Sequence, residues 1–232
     1  MKHISTQAIV LSRTNFGEAD RILTFLTLDN GKLRGLARGV RKQKSKLAGG
    51  IELFSVSEIS FLIGWGEIYT ITSTRLVKHY GNIVKDIDRT NVAYDFIKLL
   101  GKNTEDNLEP EYFGLLKNAF EALDDEAINL DLVQLWFKAQ LLKLAGHTPN
   151  LRTNQNGQKL EAGKKYIFDF DSMGFTQSGS GARTFSADHI KLLRLVFGET
   201  QPKTLHKIQK SDKLALALLA LVQTMLQSYM RV

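Results

Sequence analysis

The sequence predicts an α+β protein: a small closed β-barrel over residues 1–80, then an α-helical domain over residues 81–232. Three observations predict it. Before Gly81, short apolar runs are separated by clusters of Gly, Asn and Asp, and no helical period occurs. After Gly81 the apolar residues recur at helical spacing. Charge is also uneven, because residues 1–80 hold twelve Lys/Arg against six carboxylates and so carry six of the seven net positive charges. That asymmetry points to a nucleic-acid-facing module joined to a part with a different task.

Taken in order, Thr6–Leu11 is a short apolar strand, and Asn15-Phe16-Gly17-Glu18-Ala19-Asp20 is a turn. Glu18 and Asp20 are read as a turn salt-bridged to Arg13 or Arg21 rather than as a metal pair. Arg21–Leu28 is apolar on both faces, as in a strand covered twice, and Asp29-Asn30-Gly31 signals a hairpin through residues that tolerate positive φ. Ile51–Ile63 alternates, Gly64-Trp65-Gly66 turns the chain, and Glu67–Val77 returns. Five strands in about 80 residues suit a small barrel.

Thr90–Leu100, Glu109–Leu123 and Asn129–Ala145 then read as helices, with Pro110 in a first turn and Gly101 and Gly146 past helix ends. Residues 147–183 form a polar, loop-rich insertion around one short strand, Lys165–Phe170. Helices resume at Ser186–Phe197 and Ser211–Met230, each opening on a Ser suited to capping. The last is apolar nearly all round, which predicts burial inside a bundle. The hinge between the two parts falls near residues 78–90.

The stretch that organises the chain is Gly31–Gly50. Its seven cations, Lys32, Arg34, Arg38, Arg41, Lys42, Lys44 and Lys46, stand without one carboxylate. A charge run by itself is commonly a solvated helix or loop face. Here flanking apolar strands hold it on a scaffold, and the glycines at 35, 39, 49 and 50 leave the backbone free for close approach to a ligand. The fitting ligand is a polyanion, with a phosphate backbone the commonest kind. Phosphate contacts are assigned to Arg38, Arg41, Lys42, Lys44 and Lys46, supported by Arg13, Arg21, Lys32 and Arg34. Phe16, Trp65 and Tyr69 are candidates for stacking on bases, Trp65 foremost because glycines flank it.

Other chemistry is poorly supported. There is no cysteine, so disulfides and thiolate metal sites are excluded. Asp169 and Asp171 with His147, His189 or His206 lack metal-ligand spacing, and no phosphate-binding Gly-x-x-x-x-Gly-Lys-Ser/Thr occurs, so no enzyme is expected. The start has no secretory apolar run, and Leu214–Val222 falls short of the roughly 20 apolar residues of a spanning helix, so a cytoplasmic protein is expected.

Ala8-Ile9-Val10-Leu11, Gly17-Glu18-Ala19-Asp20-Arg21-Ile22-Leu23, Gly31-Lys32-Leu33, Ala37-Arg38-Gly39-Val40-Arg41-Lys42, Lys44-Ser45-Lys46 and Phe54 follow one another in an order and spacing that resembles the N-terminal domain of the RecO family, bacterial recombination mediators. The helix ending Leu144-Ala145-Gly146 and the Phe185-Ser186 helix start resemble its helical domain more loosely. The resemblance implies an OB-fold barrel, binding to single- and double-stranded DNA, and annealing of complementary strands. It also implies contacts with RecR and with the acidic tail of single-strand-binding protein, which together help to load RecA. Lys138, Lys143, Lys203, Lys207 and Lys210 are the cations on hand for such a tail. Many family members hold zinc with two Cys-x-x-Cys pairs in the insertion. Here Thr153 and Asn156 stand for the first pair, and the second falls within Thr176–Ser180. The expectation is therefore no zinc and no other cofactor, with the insertion held by Tyr166, Phe168, Phe170 and Phe175. An OB-fold RNA-binding module without a repair role is the alternative, since phosphates of either polymer look alike to lysine.

Overall fold

Five strands, β1 (Lys2–Phe16), β2 (Asp20–Thr27), β3 (Lys32–Ala37), β4 (Ser55–Ile63) and β5 (Ile68–His79), form a closed barrel in the order β1-β2-β3-β5-β4. The computed structural model describes residues 2–103, 110–177 and 184–230. The chain divides into two compact units, 1–125 and 126–232. In the first, β1 is far longer than the apolar run Thr6–Leu11 because it serves two partners. Lys2–Ala8 pairs with β4 and Ala8–Phe16 with β2, and a bulge between Val10 and Ser12 bends the strand from one to the other. A short parallel pairing, Arg34–Leu36 against Ile68–Thr70, completes the closure. This is the five-stranded OB-fold arrangement.

The hairpin expected at residues 29–31 is present, but it is not a two-residue primed turn. Only Gly31 takes a positive φ there, 63°, and Thr27 closes the loop, its hydroxyl donating to the Gly31 carbonyl at 2.7 Å. The strand expected from Ile51 begins at Ser55, because Ala48–Gly50 forms a 3-10 turn and Ile51 drops into the core. Val10, Leu23, Phe25, Ala37, Ile59, Phe61 and Ile71 fill the barrel, with Phe25 and Phe61 meeting edge to face at 5.5 Å.

Outside that core, Ile9 and Leu26 are cross-strand partners and are buried. Two helices, α1 (Ile87–Asn103) and α2 (Pro110–Asp124), lie against these strands and belong to the same compact unit. Phe54, at φ 54°, turns its ring out to Tyr94 of α1 and Phe120 of α2, at 5.1 and 5.7 Å. Arg89 is buried, and its guanidinium donates to the carbonyls of Leu123 and Asp125, where a cation complements the helix end.

In the second unit, α3 (Leu130–Leu144) is capped by Asn129, which accepts from the Leu132 amide at 3.2 Å. The insertion contains three strands rather than one: β6 (Asn150–Asn154), β7 (Tyr166–Asp169) and β8 (Gly174–Gln177), ordered β6-β8-β7. Three helices follow, α4 (Ala187–Val196), the single turn α5 (Pro202–Leu205) and α6 (Ser211–Tyr229). Helix α6 differs from its expected form in its cap and in its burial. Lys210, at φ 67°, is the cap, while Ser211 is the first helical residue and is buried. Nor is the helix buried all round: Ala215, Leu218, Val222 and Met225 pack inward, whereas Leu216 is 64% exposed.

Ser186 does cap α4. Its amide donates to His189 Nδ1 at 3.2 Å, and its hydroxyl lies 2.8 Å from the same nitrogen. The arrangement needs a neutral imidazole. Burial holds the His189 pKa below its ordinary value, opposed by the Asp188 carboxylate.

Two outcomes are expected. Below the ordinary imidazole pKa of about 6.5, the unfolded chain binds a proton that native His189 resists. Its stabilisation is therefore whole above that pH and is lost as pH falls through the depressed native value. His189→Gln will flatten this part of the profile of unfolding midpoint against pH. In the barrel, a Cβ at Gly35 would lie 2.7 Å from Ile71 Cγ1 and 3.0 Å from Phe61. Gly35→Val will therefore lower stability in urea titration by about 2 kcal/mol, the cost of overpacking a filled core.

Candidate nucleic-acid interface

The basic loop is built from the end of β3. Ala37 is still in the core, and Gly39 then takes φ 62°, which lets the chain reverse. The Asp20 carboxylate accepts the Gly39 amide at 2.7 Å, and the Ala19 carbonyl accepts the Arg41 amide at 2.9 Å. Val40 between them is 4% exposed and joins the barrel core. Turn bonds from Lys42 to the Gly39 carbonyl and from Ser45 to the Lys42 carbonyl continue the structure. Leu47 packs on the core, and its carbonyl accepts from the Thr74 hydroxyl at 3.0 Å. The loop is thus tied down at both ends and at Val40, while Arg38, Arg41, Lys42, Lys44 and Lys46 are exposed. None of the five forms a salt bridge among the described residues.

The glycines of this stretch serve different ends from the one expected. At Gly35 the space is filled by Ile71 and Phe61, and at Gly50 a Cβ would lie 2.4 Å from that of Thr74. Both permit close packing within the protein. Gly39 serves the turn, and only Gly49 faces open space.

The supporting cations separate into two sets. Arg21 is the β-partner of Ala37, one residue before the loop, and bonds Asn15 Oδ1 at 3.1 Å. Arg13 is paired with Glu52 at 3.4 Å. Arg34, opposite Thr24, and Lys32, opposite Leu26, share the outer face of β3. Lys32 is drawn to the end of α1, donating to the Gly101 carbonyl at 3.1 Å. The turn acids do not make the expected bridge: Arg13 and Arg21 have other partners, and Asp20 holds the loop amide instead. Sequence reasoning missed that role because it links residues 20 and 39, and only the β2–β3 register brings them together.

Of the three aromatics, Phe16 at the end of β1 and Trp65 at the β4–β5 turn are exposed. Those turns flank the ligand-binding face of barrels with this topology. Tyr69, opposite Gly35, packs on the barrel core, so its ring is committed to the fold.

Residues 1–80 match the family described as Recombination protein O N terminal, and residues 84–231 match Recombination protein O C terminal. The chain belongs to the RecO family. It is 36% identical over 200 residues to the DNA repair protein RecO of Dehalococcoides mccartyi, covering 82% of this chain and 77% of that one. The RecO proteins of Desulfatibacillum aliphaticivorans and Thermoanaerobacter sp. are each 32% identical, over 65% of this chain and 60% and 61% of theirs. A role in DNA repair and recombination goes with the family.

Against the RecO pattern, the insertion is held by other means than thiolates. Asn150 Oδ1 accepts the amides of Arg152 and Thr153, and Asn154 Oδ1 accepts those of Asn156 and Gln158. Thr153 and Asn156 therefore sit in side-chain-closed turns, and their donor types do not suit zinc. Residues 178–180 of the expected second position lie outside the described residues. The aromatic packing is as expected: Phe168 meets Phe170 and Phe175 at 5.1 and 5.2 Å, Phe175 meets Phe185, and Tyr166 is buried. Asp169 accepts from the Ser172 hydroxyl at 2.6 Å, which, with neighbouring amides, holds its carboxyl below the usual range. His147 stacks on Tyr229 and His189 caps α4, so these groups serve separate places in the unit. Among the described residues, no three His, Cys, Asp or Glu side chains are grouped to hold a metal. No described helix is long and apolar enough to cross a membrane. Of the candidate tail-binding lysines, Lys143 pairs with Glu199 at 2.6 Å, while Lys203, Lys207 and Lys210 are exposed around α5 and the start of α6.

A hydrogen bond to a carboxylate contributes about 1.5–3 kcal/mol, so Asp20→Ala should speed amide exchange at Gly39 and Arg41 by roughly tenfold or more. The barrel-strand amides should keep their protection. Unchanged exchange in the loop would mean that Asp20 does not hold it.

Proposed function

We propose that this protein is a DNA-binding recombination mediator that binds single- and double-stranded DNA and anneals complementary strands. The observation that carries the reading is the carboxylate-free loop at 38–46, whose five exposed cations have no salt-bridge partners among the described residues and whose backbone is fixed to the barrel. Annealing makes and breaks no covalent bond. Cations that neutralise phosphates on two strands reduce their repulsion, and base pairing supplies the free energy. Phe16 and Trp65 offer faces on which unpaired bases stack, which favours single strands.

The second half of the proposal is recruitment. The protein helps to load RecA onto single strands coated with single-strand-binding protein, acting with RecR in the cytoplasm. The exposed lysines at 203, 207 and 210 support capture of an acidic tail, because Ile208 beside them adds an exposed apolar contact.

The test is annealing of complementary oligonucleotides coated with single-strand-binding protein, alongside duplex affinity at several salt concentrations. Five to seven phosphate contacts give log K a slope against log[salt] of about −4 to −6. Arg41→Glu/Lys42→Glu should reduce that slope by about 2 and weaken binding to all sequences alike, because backbone contacts carry no base information. A slope near zero, or equal annealing by the variant, contradicts the proposal. Matched RNA strands that bind more tightly than DNA would favour an RNA-binding module instead.

A further inference from the structure

A cleft of about 510 Å³ opens between α1 and the outer face of the barrel, its lining including Leu11, Ser12, Thr24, Tyr94, Asp95 and Lys98. Its floor is apolar. Two hydroxyls stand on it, Ser12 and Thr24, which are cross-strand partners and have no hydrogen-bond partner among the described residues. A hydroxyl can donate or accept, so the pair can meet the edge of any base. On the helix side, Tyr94 is 47% exposed, and its ring is set by the edge-to-face contact with Phe54.

The mouth is positive. Arg34 is the cross-strand neighbour of Thr24 and is exposed. Lys98 and Lys102 stand one turn apart on α1 and are also exposed, and Asp95 is the one carboxylate lining the cleft among the described residues. Arg34 also lies on the strand that runs directly into the basic loop. A chain of phosphates held by that loop can therefore continue along β3 toward the cleft.

We propose that this cleft is a nucleotide site, which receives one unpaired base of a single strand against Tyr94 while Arg34, Lys98 and Lys102 hold the adjoining phosphates. The inference rests on the nucleic-acid function proposed above and adds a second contact, specific for single strands, outside the basic loop. A base within a duplex is stacked and paired, so only single-stranded DNA can use it.

The full-length protein is photocrosslinked to a single-stranded oligonucleotide carrying 5-iodouracil, and adducts are mapped by mass spectrometry. Affinities of Tyr94→Ala, Lys98→Glu and Arg41→Glu/Lys42→Glu are measured for single strand and duplex. The expected result is an adduct on Tyr94, with single-strand affinity reduced roughly tenfold in Tyr94→Ala and severalfold in Lys98→Glu. Duplex affinity stays unchanged in both. Lys98 is on the exposed face of α1, so its variant keeps the test valid if loss of the Tyr94–Phe54 contact destabilises the other. If both cleft variants bind single strands as the parent does while the loop variant loses both ligands, the cleft assignment is overturned and the DNA-binding reading stands. If the loop variant loses neither, the DNA-binding reading itself fails and takes the cleft with it. If Lys98→Glu retains single-strand binding but loses a fluorescent Asp-rich apolar peptide that the parent binds, the cleft is a protein-docking surface and the proposal is overturned.

Discussion

One carboxylate sets the geometry on which the interface depends. Five cations within the nine residues 38–46 repel one another, and a free loop of that composition would spread into solvent. Asp20 prevents this by accepting the Gly39 amide at 2.7 Å, while the buried side chain of Val40 anchors the next residue. The five charges of the loop are then held together by backbone and core contacts, with no salt bridge to them among the described residues. A loop already ordered loses less entropy when a ligand binds, so more of the electrostatic gain remains as affinity.

Several other cations of the barrel have partners within the protein. Arg13 is occupied by Glu52, and Arg75 lies beside Glu58, where it holds that carboxyl below its usual range. Lys32 is directed to the end of α1. Closure matters here as well. The long β1 and the parallel β3–β5 contact leave no free sheet edge, so the exposed loops and the outer face of β3 become the surfaces on which a ligand can act.

The legible parts of the chain were those specified by local pattern. The barrel strands announced themselves by short apolar runs between turn residues, with alternation clear only in the fourth, and α3 did so through its apolar content and the Asn129 and Gly146 ends. The cations were visible as composition. What escaped was long-range. Asp20 looked like a surface turn acid because its partner amide is nineteen residues away. Glycines 35 and 50 looked like room for a ligand because nothing local reveals Ile71 or Thr74 above them. Strands β6 and β8 are short, and they form because β8 pairs with both β6 and β7 while its Phe175 packs in the aromatic cluster. Polar residues at either end of β1 likewise extend a strand that only its two neighbours make visible.

The central claim is that the tethered loop, rather than charge spread over the chain, meets the nucleic acid. Amine-reactive footprinting tests it most directly, with lysine modification measured with and without a single-stranded oligonucleotide. The account predicts that Lys42, Lys44 and Lys46 become protected while Lys203, Lys207 and Lys210 react as before. Protection confined to the latter three, or spread evenly over all six, would contradict it.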